Sequence, residues 1–164
     1  MDASAIFGCE NPELQRWSWS LIEDFRHGLY HPIISTLLQE QISDASTEVK
    51  RALSELLLCK PKVIVVSEKA ETLADVYLDR KILPLQDRND ALHVALATLE
   101  EADVLVSWNY PNILHISKLR KFISVNLELG LKPIQIRSPR VVASLEIINR
   151  TPVPEISSNG RITC

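Results

Sequence analysis

The sequence predicts a three-layer α/β domain built around a short, mainly parallel central sheet. Three observations carry this expectation. Helical stretches alternate with short apolar strands along most of the 164 residues, without internal repeats. The strand candidates are brief, and one of them, Val63-Ile64-Val65-Val66, is a continuous β-branched run suited to a buried or edge strand. The stretch Asp87 to Ala102 is an almost wholly apolar helix opened by a carboxylate.

The elements follow in order. Asp2 to Phe7 reads as a stub of strand that Gly8 breaks. Asn11-Pro12 opens a helix, with Asn11 as cap and Pro12 at the first helical position. Leu14, Trp17, Leu21 and Phe25 form its apolar stripe, with Ser18 and Ile22 beside them, and Gly28 stops it. Trp19 lies off that stripe, where a subunit or partner contact competes with ordinary packing. Pro32 to Ser35 is a short strand, and Ser35 caps a helix through Ile42. Ser46 caps the next helix, which ends before Pro61. Ser67 heads a helix to Leu78, and a connection containing Pro84 leads to the apolar helix. Asp103 to Val106 is a strand, Ser117 to Leu129 an amphipathic helix closed by Gly130, and Pro133 to Ile136 the last strand. Ser138-Pro139 starts a short final helix. The domain is expected to span 1–148, and 149–164, with two prolines, two serines and a glycine and little to bury, reads as a flexible tail.

Composition narrows the class. Apolar residues make up 46% and charged residues 24%, enough for a single globular core. No apolar run approaches the roughly 18 residues that cross a bilayer, so no membrane partner is expected. Cys9, Cys59 and Cys164 are few, odd in number and far apart, which argues against a disulfide framework or a zinc site and suggests a reducing, cytoplasmic setting. The net charge of −3 gives no global sign of nucleic-acid binding, although Lys118, Arg120, Lys121, Arg137 and Arg140 form a basic grouping in the C-terminal half.

In a parallel α/β sheet, ligands sit beyond the carboxyl ends of the strands. That rule brings Asp2, Asp90 and the end of the 103–106 strand to one rim, with Glu40 or Gln41 arriving from the 35–42 helix. Oxygen donors from several elements, with no His/Cys cluster, suit Mg²⁺ or Mn²⁺ better than zinc. Asp87 is the better candidate for a plain helix cap. His93, one turn after Asp90, reads as a packed core histidine, and Trp108 as a buried anchor behind the site.

Asp2-Ala3-Ser4, Ile34-Ser35-Thr36-Leu37 with Glu40, Asp90-Ala91-Leu92-His93-Val94-Ala95-Leu96-Ala97 and Val106-Ser107-Trp108-Asn109, in that order, resemble PIN-domain proteins. The closing Ile136 to Arg140 is similar to the VapC-like branch of that family. The resemblance covers about residues 2 to 140, and Asp-Ala-Leu-His-x-Ala-x-Ala is its most specific piece. It implies a Mg²⁺- or Mn²⁺-dependent endoribonuclease, often the toxin of a toxin–antitoxin pair, with RNA as substrate, an antitoxin protein as partner and a homodimer as a further expectation. Asp2 and Asp90 match the family's acidic ligands. The helix carboxylate falls on Glu40 or, in ungapped register, on Gln41, and the last acidic position is Asn109, whose amide oxygen can ligate a metal or orient the shell. Ser4 is expected to hydrogen-bond a ligand carboxylate. Only Met1 precedes Asp2, where the family carries several apolar strand residues. The rival expectation is a degenerate fold of the same type that binds RNA or a protein without cutting.

Overall fold

Serine side chains start three of the helices, as their spacing from the following apolar residues predicts. Ser35, Ser46 and Ser67 accept hydrogen bonds from the backbone N–H groups of Leu38, Val49 and Ala70 at 3.2, 3.3 and 3.3 Å. Each satisfies a donor that the first helical turn leaves without a partner. The computed structural model describes residues 1–143. The expected domain end at 148 and the tail from 149 lie outside the described residues.

The elements are α1 Ala3–Phe7, α2 Gln15–Arg26, β1 Ile33–Ser35, α3 Thr36–Ile42, α4 Thr47–Leu58, β2 Lys62–Ile64, α5 Glu68–Asp79, a 3-10 turn Leu85–Asp87, α6 Arg88–Leu99, β3 Leu105–Val106, α7 Ile116–Glu128 and β4 Ile136–Arg137. A further helix begins at Pro139, as expected from Ser138-Pro139. The chain is thus mixed α/β, and both strand pairs are parallel.

Two expectations about the sheet are corrected. Residues 2–7 are not a strand. Asp2 Oδ1 accepts from the Ala5 N–H at 3.2 Å and caps α1 instead. A helix cap followed by Ala3 and Ala5 outweighs the weak strand signal of Ala5-Ile6-Phe7. Nor do the described strands form one sheet. β1 pairs with β2 (Ile34 opposite Val63), and β3 pairs with β4 (Leu105 opposite Ile136), in two separate two-stranded sheets. Met1 and Asp2 stitch them together. The Met1 ammonium donates to the Ile33 carbonyl at 2.9 Å, and the Asp2 N–H donates to the Val106 carbonyl at 3.1 Å.

Helix α2 begins later than Asn11-Pro12 suggests, at Gln15. Asn11 Oδ1 accepts from the Glu13 N–H at 2.9 Å and holds the preceding residues as a turn. Ser18, Leu21, Ile22 and Phe25 face inward, while Trp17 stays half-buried with the Arg16 guanidinium 4.3 Å from its ring centre. Trp19 is half-buried against the core, with Arg51 5.4 Å from its ring centre.

Apolar side chains gather in two clusters. One joins α5, α6 and α7 with Leu105 and Ile136, and the other joins α1, α2, α3 and α4 with Ile34 and Val106. Leu105 and Val106 are consecutive and feed different clusters, as strand alternation requires. Helix α6 is covered almost all round: every residue from Ala91 to Leu96 is buried. Its polar Thr98 is satisfied inside the core. Tyr77 OH donates to Asn126 Oδ1 at 2.6 Å, Asn126 Nδ2 donates to Thr98 Oγ1 at 3.1 Å, and Thr98 Oγ1 donates to the Val94 carbonyl at 2.9 Å. The Tyr77 and Phe122 rings meet edge to face at 4.9 Å.

Candidate functional site

Asp2 is placed at the head of α1 because its backbone is held by Val106 and its side chain caps the helix. It is only 2% exposed. Ser4 Oγ donates to Asp2 Oδ1 at 2.7 Å, as expected of that serine, and Ser107 Oγ donates to Asp2 Oδ2 at 2.6 Å. Burial pushes the Asp2 carboxyl above the usual carboxylate range, against the pull of the two hydroxyls and of the Met1 ammonium.

Asp90 stands in the first turn of α6 and is half-buried. The side-chain amides of Asn109 and Asn112 both donate to Asp90 Oδ2, each at 2.8 Å. Burial raises this carboxyl too, the Asp87 charge adds to the rise, and the two amides and the Lys118 ammonium oppose it. Asp87 occupies the cap position of α6 but its side chain makes no capping hydrogen bond, so the plain cap role expected of it is not filled.

The two carboxylates are connected through the end of β3. Ser107 Oγ, which donates to Asp2, accepts from the Asn109 N–H at 2.9 Å, and Asn109 in turn reaches Asp90. Asn109 therefore orients Asp90 through its amide nitrogen, while its oxygen accepts from the Asn112 N–H at 3.2 Å. Of the two roles open to Asn109, the geometry supplies the orienting one.

Glu40 is exposed on α3. Its neighbour Gln41 turns inward instead, with Oε1 2.7 Å from His93 Nε2. Neighbouring helical positions point about 100° apart, so one of this pair can face α6 and the other cannot. His93 is a packed core residue, 4% exposed, and burial pushes its imidazole down to about 3, so it is neutral. Among the described residues no group of three or more His, Cys, Asp or Glu side chains is positioned to hold a metal ion.

Trp108 is the buried anchor its sequence context suggests. Its indole Nε1 donates to Ser18 Oγ at 2.9 Å, and its backbone N–H donates to Ser4 Oγ at 2.7 Å. Gly8 makes room for it, since a Cβ there would lie 2.4 Å from both Trp108 Nε1 and Ser18 Oγ.

Sequence reasoning missed Asn112 and placed Lys118 only in a basic grouping of the C-terminal half. Lys118 Nζ donates to Asn112 Oδ1 at 2.9 Å, which places a cation one residue removed from Asp90. The Asn-x-x-Asn spacing of 109 and 112, which closes a side-chain-to-backbone turn three residues long, was the available signal. Tyr110 was missed as well. It is 55% exposed beside Trp108, with ring centres 6.5 Å apart.

No protein-family model, curated protein or solved structure matches this chain. Among the described residues no helix is long and apolar enough to cross a membrane.

Proposed function

We propose that the Asp2–Asp90 rim is the site of a Mg²⁺- or Mn²⁺-dependent endoribonuclease of PIN type, on a three-layer fold of that family. The observation that carries this reading is the continuous hydrogen-bonded path from Asp2 through Ser107 and Asn109 to Asp90. It ties together two acidic side chains from helix starts 88 residues apart (90 minus 2). Both carboxyls are raised chiefly by burial, which is the cost a bound cation offsets.

The donor set fits a single, loosely held hard cation: two carboxylates, hydroxyls and amides, without thiolate or imidazole. Asp90 would hold such an ion, with Asn109 and Asn112 fixing its Oδ2. Asp2 adds the second negative charge, and Ser4 and Ser107 hold its oxygens in place. When bound, such an ion supplies Lewis acidity and offsets the charge of a phosphodiester. Lys118 adds a positive charge for the RNA backbone at the same rim. Tyr110 offers an exposed ring for a base, a contact worth ~1–3 kcal/mol.

A second reading is favoured by one observation: Gln41, not a carboxylate, faces α6, and Glu40 stays exposed. A site with two carboxylates can instead serve a degenerate module that binds RNA or a small protein partner, such as an antitoxin, without cutting. Calorimetric titration with Mn²⁺ together with an RNA cleavage assay separates the two. Metal-stimulated cleavage, lost on chelation, supports the nuclease. Metal binding no tighter than millimolar, with RNA retained uncut, sinks it and leaves the binding module.

A further inference from the structure

Strand β2 stands at the end of its sheet, with β1 on one side and, among the described residues, no strand on the other. The Lys62 N–H donates to the Pro32 carbonyl at 2.9 Å. Backbone polar groups alternate in direction along a strand, so those of Val63 and, as the chain continues, Val65 are directed away from β1. The side chains divide in the same way. Val66 packs on the α5–α6–α7 cluster, whereas Val63 is 49% exposed and Val65 67%. Leu57 and Leu58, at the end of α4 that leads into β2, are exposed as well. An open edge carrying a β-branched apolar run is a template for a further strand.

We propose that two copies of this chain join by antiparallel pairing of their β2 edges, about a two-fold axis at Ile64. In that register the sequence around the edge is self-complementary. Val63 of each copy stands opposite Val65 of the other, and their outward N–H and C=O groups exchange the paired bonds of an antiparallel ladder. β-branched side chains directly opposite on one face stabilise such a pair. Lys60, before the strand of one copy, meets Glu68, after the strand of the other, and the axis makes this contact twice. Both residues are exposed. Ser67 keeps extended backbone, with φ −103° and ψ 157°, so α5 starts where the pairing ends. The two neighbouring registers fit less well. An axis at Val65 sets Val63 against Ser67 and Glu68 against Lys62, yet Ser67 Oγ already caps α5 and Lys62 already pairs with Glu100 at 2.5 Å. An axis at Val63 sets Val65 against Pro61, which has no N–H to give. A surface that matches itself in both charge and apolar positions favours a second copy over an unrelated strand. The dimer would carry one four-stranded sheet in the order β1, β2, β2, β1.

Sedimentation of the full chain across a dilution series is expected to show a monomer–dimer equilibrium. Hydrogen exchange at the Val63 and Val65 amides should slow as concentration rises. Glu68→Lys sets like charges opposite each other twice and is expected to weaken the dimer about 10-fold. Adding Lys60→Glu to that variant restores opposite charges and should return the affinity of the wild type. A chain that is monomeric at every concentration overturns the proposal. A dimer that Glu68→Lys leaves unchanged lies on another face and overturns it as well, as does a double variant no tighter than the single one. Val63 and Val65 amides protected equally at all concentrations would assign the edge to residues 144–164 of the same chain, which also overturns it. None of these readouts involves RNA or metal, so the outcome is independent of the nuclease reading.

Discussion

Ser107 Oγ lies 2.6 Å from Asp2 Oδ2 across 105 residues of chain, and the same oxygen accepts the Asn109 N–H at 2.9 Å. A buried carboxylate at the first helix and an exposed-side asparagine after β3 are thereby held by one hydroxyl. Positions on either side of that hydroxyl should behave as a unit.

Asn109→Ala removes one of the two amides on Asp90 Oδ2. Loss of an orienting partner typically weakens a metal site ~10–100-fold. Mn²⁺ affinity by calorimetry should fall by that factor, while circular dichroism and Tm change little. Because the Asn109 bond also holds the Asp90 carboxyl down, its loss should move the pH dependence of metal binding upward. Unchanged affinity would separate Asn109 from the site.

His93 makes the fold sensitive to acid. Its imidazole is held at about 3 by burial and by the nearby Met1 ammonium, against an ordinary 6.5. Above 6.5 it is neutral in both states and its environment costs nothing. As pH falls from 6.5 toward 3 the unfolded chain takes up a proton that the native chain refuses, and stability drops. One such proton amounts to about 1.4 kcal/mol per pH unit. Asp2 and Asp90, whose carboxyls are raised, act in the opposite sense above the ordinary carboxylate value, since the native state there holds more protons. Urea unfolding across this range should show a steeper acid loss for the wild type than for His93→Gln, a difference in which the aspartate contributions cancel. Identical slopes would show that His93 is not held neutral.

Gly8→Ala tests how closely the Trp108 anchor is fitted. Gly8 has an ordinary helical φ of −58°, so the substitution brings no backbone strain, only the contact of its Cβ with Trp108 and Ser18. Overpacking of this kind costs about 1–3 kcal/mol. Tm should fall and tryptophan emission should shift to the red. Metal affinity should weaken as well, because Trp108 and Asp2 share Ser4. A stable variant with unaltered emission would contradict the packing described.

Much of this was legible in the sequence. The serine caps, the helix order and the inward face of α6 follow from residue type and spacing, which are local. Asp90 and Asn109 were singled out because both sit at element ends, where polar residues beside apolar runs stand out. The N-terminal strand was misread because a cap bond from Asp2 to Ala5 is as local as an apolar triplet, and the cap prevails. The split of the sheet was invisible because strand pairing is long-range and each described strand is two or three residues long. Asn112 was missed, and Lys118 was placed only in a basic grouping, because a side-chain turn and an arriving lysine matter only once the chain has folded around Asp90.

The rate of RNA hydrolysis in Mn²⁺ by the wild-type protein and by its Asp90→Asn variant tests the central claim most directly. The isosteric change keeps the contacts' shape and removes the charge. The expected result is chelator-sensitive cleavage by the wild type, slowed at least about 100-fold in the variant, since loss of a ligand should exceed loss of its outer partner. Cleavage by both at one rate, or by neither, contradicts the account.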